Sequence, residues 1–270
     1  MMTWKAPENW TSITAVDAHT GGEPLRIFID GIPAIPGKTI LEKRRYALEN
    51  LDYLRTATLW EPRGHADMYG CIITEAVTDD GDFGVLFTHN EGYSSMCGHG
   101  IIALTKVVLE TDFFPMPQDK TKVKIDTPAG RVTAFPHWNE KQVESVSFQN
   151  VASYVYSLDQ KVSVPGLGTI NFDIAFGGAY YAFVSADEAG VELNAAGFRK
   201  LIESGIAIKH AIMQQVEIKH PYEPDLGFLY GVIFVGKAEE PGHHSRNVCV
   251  FADGEVDRSP TGTGVSARAA

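Results

Sequence analysis

Two short stretches constrain this chain more than any other feature, because one copies the other. Met96-Cys97-Gly98-His99-Gly100-Ile101-Ile102-Ala103 and Pro260-Thr261-Gly262-Thr263-Gly264-Val265-Ser266-Ala267 share both glycines, the apolar residue after them and the closing alanine. Thr261 stands where Cys97 stands. Three more matches fall in the same order: Asp17 to Gly22 with Asp173 to Gly178, Met68 to Ile72 with Leu229 to Ile233, and Phe87 with Phe251. Their separations drift only slightly around roughly 160 residues, which speaks for a duplicated domain rather than a solenoid of 20–50-residue repeats.

Each glycine motif follows a strand-like apolar run and opens a helix-like one. Glycine lets the backbone approach a ligand, and the first helical turn leaves amide donors unpaired, which makes an anion site. Cys97 sits where those donors favour negative charge, so its thiol pKa is expected to fall below about 8.5 and the thiolate to serve as a base. Cys71 and Cys249 lie in apolar strand-like runs and read as buried fillers.

Around these motifs the chain divides into a tail at 1–12, a first lobe at 13–115, a Pro-containing linker at 116–122 and a second lobe at 123–270. Strands outnumber helices. One helix is expected through Leu41, Arg45, Leu48, Leu51 and Leu54, with the basic run Lys43-Arg44-Arg45 on its solvated face. Another is expected from 194 to 216, with Phe198, Leu201, Ile202, Ile206 and Ile208 toward the core. The fold class is α+β: two pseudo-symmetric lobes, each a curved sheet around a central helix, with the active site in the cleft between them. The copied helix after Thr261 is cut at Ala270 on strong helix formers, so the second lobe is expected to be truncated at its C-terminal end.

A net charge of −11 disfavours nucleic acid and acidic membranes as partners. Three cysteines without CxxC or Cys/His zinc spacing give no metal framework, and His243-His244 lacks a third ligand. No signal-peptide core or bilayer-length apolar run occurs, which makes the cytoplasm the expected compartment.

An approximate two-fold would aim both helix starts at one ligand, sharing a carboxylate among the amides of Gly98, His99, Gly262 and Thr263. The α-carbon then sits between residues 97 and 261. Two cysteines there would invert the centre; an alcohol cannot return a proton as a thiol does, and no lysine or histidine lies near Thr261 in sequence to activate it. A one-base site can still eliminate, with Cys97 taking the α-hydrogen and a β-substituent leaving from the opposite side. A cysteine hydrolase is disfavoured, because a helix start is expected to turn Cys97 and His99 apart.

The motifs Asp17-Ala18-His19-Thr20-Gly21-Gly22-Glu23-Pro24-Leu25-Arg26, His89 to Gly100 and Asp257-Arg258-Ser259-Pro260-Thr261-Gly262-Thr263-Gly264 resemble the signatures of the proline racemase superfamily. The resemblance implies the two-lobed fold shared with diaminopimelate epimerase, no cofactor or metal, an imino-acid substrate and, by family habit, a homodimer. Threonine at the second position resembles the family's hydro-lyase branch, which converts trans-3-hydroxy-L-proline to Δ1-pyrroline-2-carboxylate. The alternatives are a proline or hydroxyproline racemase or epimerase, and an inactive imino-acid binding protein. Carried over by motif, Cys97 accepts the proton, Asp257 with His99 holds the ring nitrogen, and Tyr69 and Phe251 wall the ring. Thr261 replaces the second base, as a filler or as a hydrogen-bond donor to the leaving hydroxyl.

Overall fold

A computed structural model describes residues 5–117 and 119–270. Residues 1–4 of the expected tail and Gln118 of the expected linker lie outside the described residues. From Thr14–Thr20 (β1) the chain turns at Gly21 and Gly22, both at positive φ, into Glu23–Asp30 (β2). Only glycine adopts those angles freely. A helix follows at Ile40–Asn50 (α1), capped by the Thr39 hydroxyl, which accepts from Glu42 N at 3.1 Å, and then a second at Asp52–Leu59 (α2). The expected single helix is thus broken at Leu51. Its basic run is also less solvated than expected. Lys43 is buried and donates to Glu75 O at 2.9 Å, Arg44 donates to Tyr93 O, and exposed Arg45 pairs with Asp225 of the other lobe at 2.6 Å.

Tyr69–Thr74 (β3), Phe83–His89 (β4) and Gly92–Ser94 (β5) lead into the helix Gly98–Glu110 (α3). Val123–Thr127 (β6), Gly130–Asn139 (β7) and Gln142–Gln149 (β8) come next. The first sheet runs β1-β2-β3-β4-β6-β7-β8, with β5 beside β4. This moves the boundary between sheets away from the expected linker at 116–122. The prolines there mark only a local turn, after which β6 returns parallel to β4, with Phe83 opposite Ile125. Asp126 fastens the return by accepting from Val77 N and Thr78 N and pairing with Arg131. Strands β7 and β8 are needed to cover the apolar face of α3, which buries Ile101, Leu104, Val108 and Leu109.

The second sheet begins at Tyr154–Val164 (β9) and continues through Gly168–Phe176 (β10) and Tyr180–Ser185 (β11). The helix Phe198–Gln215 (α4) precedes Leu229–Gly236 (β12), Arg246–Phe251 (β13), Glu255–Val256 (β14) and the short helix Gly262–Arg268 (α5). Leu201, Ile208, Ala211 and Ile212 of α4 are buried, whereas Phe198, at its first turn, is exposed. Sheet order is β14-β13-β12-β11-β10-β9.

The sequence repeat is realised strand for strand. β1–β2, β2–β3 and β3–β4 pair antiparallel, parallel and antiparallel, and β10–β11, β11–β12 and β12–β13 repeat that order. Each parallel step is bridged by helix, α1 and α2 in one lobe and α4 in the other, because parallel strands need a long crossover. One buried cluster runs through both lobes, joining Leu25, Phe87 and Ile101 to Tyr181, Ile233 and Phe251. Cys71 and Cys249 are fully packed free thiols within it, as expected. No helix among the described residues is long and apolar enough to cross a membrane.

Candidate active site

The starts of α3 and α5 meet almost head to head. A Cβ placed on Gly98 would lie 3.4 Å from the Gly262 Cα and 3.1 Å from the ring of Phe148, so a side chain at position 98 would crowd that ring. The two capping residues behave differently. Cys97 is extended, and its sulfur caps α3 by accepting from Gly100 N at 3.2 Å. Thr261 sits in the left-handed region at φ 59° and does not cap α5. Its hydroxyl donates instead to Asp257 Oδ2 at 2.8 Å, while Asp257 Oδ1 accepts from Ser259 N at 2.7 Å.

Of the residues expected from sequence, Cys97, Gly98, His99, Asp257, Gly262, Thr263, Tyr69 and Phe251 line one cavity between the lobes. Thr261 is next to it without lining it, because its side chain is turned to Asp257. The cavity, about 20 Å³, holds little more than one water molecule.

Two expectations about Cys97 are overturned. Burial pushes its thiol pKa well above the ordinary value, and the carboxylates of Asp257 and Glu23 push the same way, against the Gly100 N–H and the Tyr69 hydroxyl. Loss of water outweighs the helix-start donors here. His99 is also not turned away: its Nδ1 lies 3.2 Å from Cys97 Sγ. Its Nε2 donates to Pro24 O at 3.1 Å, which leaves Nδ1 to face the thiol as an acceptor. Burial lowers the imidazole pKa, opposed by the charge of Asp257. Both ring nitrogens thus have partners within the protein.

Glu23, Tyr181 and Tyr230 also line the cavity and were not singled out from sequence. Glu23, almost wholly buried, accepts from Arg258 N across the cleft at 2.7 Å. Burial, followed by the charge of Asp257, raises its carboxyl to about 7. Tyr230 had a signal in the repeat, as the counterpart of Tyr69, and the two hydroxyls meet 3.3 Å apart at the pseudo-axis. Tyr181 donates to or accepts from Thr263 Oγ1 at 2.7 Å, a contact between residues far apart in sequence that no local pattern announces. His243 and His244 lie in an exposed loop, and no group of three or more metal-ligating side chains occurs among the described residues.

The proline racemase family profile matches residues 15–270. The chain belongs to that family. Over 263 residues it is 52% identical to the trans-3-hydroxy-L-proline dehydratase of Colwellia psychrerythraea, covering 97% of this chain and 74% of that one. The dehydratase of the same name from Bacillus cereus is 50% identical, with 95% and 77% covered. Among solved structures, a hydroxyproline epimerase from Agrobacterium vitis with bound trans-4-hydroxy-L-proline matches with a TM-score of 0.88 at 29% identity, over 95% of this chain and 75% of that one. This proline racemase family member therefore shares its two-lobed α+β fold with an epimerase, while its sequence stands nearer to dehydratases.

Proposed function

We propose that this chain is a cofactor-independent hydro-lyase that dehydrates trans-3-hydroxy-L-proline, giving Δ1-pyrroline-2-carboxylate after tautomerisation. The observation that carries the reading is the unequal pair of residues that precede the two helices: a sulfur with a histidine partner in the cavity, and an alcohol whose hydroxyl is turned to Asp257. The dehydratase relatives support the same reaction.

The substrate carboxylate is held by the amides of Gly98 and His99 from one lobe and Gly262 and Thr263 from the other. Those donors gain strength as negative charge develops at C2 and spreads into the carboxylate. Asp257 faces the ring ammonium, and Tyr69, Phe251 and Tyr230 enclose the carbon side of the ring. The thiol of Cys97 gives its proton to His99 Nδ1, and the resulting thiolate, held by the Gly100 N–H, removes the α-hydrogen. The ring ammonium offsets the nearby carboxylate charge that disfavours the thiolate.

The test is ketimine formation by the purified chain supplied with trans-3-hydroxy-L-proline. Product is expected from the native protein and none from Cys97→Ala; undiminished product from that variant would overturn the assignment of the base. L-Proline is expected to keep its optical rotation, since no second acid faces its other side. Loss of rotation would instead favour a racemase.

A further inference from the structure

This inference rests on the dehydratase reading and concerns the half of the reaction that Cys97 does not perform. In trans-3-hydroxy-L-proline the hydroxyl and the carboxylate lie on opposite ring faces, so the hydroxyl shares a face with the α-hydrogen. A base that reaches that hydrogen has the leaving group beside it. The expected departure from the opposite side, toward Thr261, therefore conflicts with the substrate's own geometry. The acid must stand on the Cys97 side, and hydroxide is too poor a leaving group to depart without one.

Three groups interact with the Cys97 sulfur. The Gly100 N–H belongs to the helix backbone, and His99, once it holds the proton taken from Cys97, keeps it on Nδ1 toward the sulfur while Nε2 stays on Pro24 O. The third is the Tyr69 hydroxyl, which lines the same cavity as the sulfur and interacts with it electrostatically. Its ring is fixed edge-on to His99, with centroids 5.0 Å apart. Its oxygen is bonded to the buried Ser94 Oγ at 2.5 Å and lies 3.3 Å from the Tyr230 hydroxyl.

We propose that Tyr69 is the acid that protonates the departing 3-hydroxyl. As the Cys97 thiolate takes the α-hydrogen, the C2–H electron pair becomes the C2–C3 double bond. The C3–O bond breaks with its pair on oxygen, and that oxygen takes the phenolic proton and leaves as water. The new Cys97 thiol, beside the phenolic oxygen, returns a proton to it. Both side chains are thereby restored, and substrate has become enamine plus water with no further reactant. The short path also explains why no second base is needed at position 261. Burial and the neighbouring sulfur hold the phenol's pKa well above its ordinary value, so it enters every cycle protonated.

The experiment compares Tyr69→Phe with the native protein on three substrates. On trans-3-hydroxy-L-proline the variant is expected to lose about 100-fold or more in kcat, the usual worth of a general acid. On a 3-chloro-L-proline with chlorine on the α-hydrogen face, chloride release is expected to stay within a few-fold, because chloride needs no proton. Exchange of the α-hydrogen of L-proline in deuterated water should fall far less than dehydration, by the loss of the hydroxyl's support of the thiolate alone. Native-like dehydration by Tyr69→Phe, or equal loss on all three substrates, would overturn the proposal. So would a leaving-group-selective defect in Glu23→Gln with none in Tyr69→Phe. If Tyr69→Phe fails to fold by thermal melt, Ser94→Ala replaces it, with about 10-fold loss expected on the hydroxy substrate alone and equal loss on all three overturning. Dehydration of cis-3-hydroxy-L-proline at a comparable native rate would also refute the proposal, since its hydroxyl lies on the other face. A native protein that exchanges proline but forms no ketimine refutes the dehydratase reading itself and this assignment with it.

Discussion

At the residue scale the proposed base is a sulfur that doubles as a helix cap. A Cβ at position 100 would lie 3.0 Å from Cys97 Sγ and 2.9 Å from the Phe87 ring, so Gly100→Ala is expected to displace the sulfur. Overpacking of this kind costs about 1–3 kcal/mol of stability, and kcat for ketimine formation should fall more than 10-fold with the sulfur off its position. Thr261 makes a different prediction. Its hydroxyl holds Asp257, and a hydrogen bond to a charged group is worth about 1.5–3 kcal/mol. Thr261→Val should raise KM for the hydroxyproline with little change in kcat, and Thr261→Ser should restore it. Unchanged kinetics in the valine variant would remove Asp257 positioning from the role of Thr261.

At the element scale the repeat places α3 and α5 tip to tip, and the turn between β10 and β11 supports α5 from beneath. A Cβ on Gly177 would come within 2.2 Å of Thr263 O and 2.4 Å of Ala267 N, both backbone atoms that cannot yield as a side chain would. Gly177→Ala is therefore expected to destabilise the chain by about 3 kcal/mol, the upper part of the usual overpacking range, read as a lowered melting temperature. The matching turn between β1 and β2 has open space around Gly21 and Gly22, so its glycines answer to backbone angle rather than to contact. The repeat keeps the backbone angle at its second glycine, φ 101° at Gly22 and 107° at Gly178, while the reason for the first differs.

At the scale of the whole molecule, the two lobes are joined behind the cavity by buried ionisable groups. Glu255 of β14 is buried with its carboxyl 3.6 Å from His89 of β4. Burial raises Glu255 from 4.5 to about 8 and lowers His89 from 6.5 to about 3, so both are neutral near pH 7. Between pH 3 and 6.5 the unfolded chain binds more protons at His89, and stability from that group rises with pH. Between 4.5 and 8 the folded chain binds more at Glu255, and stability from that group falls as pH climbs. Above 6.5 the contributions of Glu255 and Glu23 both fall, that of Glu23 until about 7. Melting temperature should therefore drop from pH 6.5 to 8.5 in the native protein. Glu255→Gln should flatten that drop, and an equally steep fall in the variant would show that Glu255 is ionised in the fold.

The amino-acid sequence by itself determined the duplication, the α+β class, the two glycine-led helix starts and the cysteine–threonine asymmetry. All of these are local patterns or copies of one, and local pattern is what a chain displays directly. It located Tyr69, Phe251 and Asp257 through motif and repeat. Only the tertiary structure decided the sheet to which β6–β8 belong, since strand partners are chosen by the surface left open on α3 and not by the prolines that precede them. It also decided the pKa of Cys97 and the partner of His99. A thiol's acidity at a helix start depends on how much water the other lobe excludes, and that exclusion, like the meeting of Tyr69 with Tyr230 and of Glu23 with Arg258, exists only once distant segments are packed together.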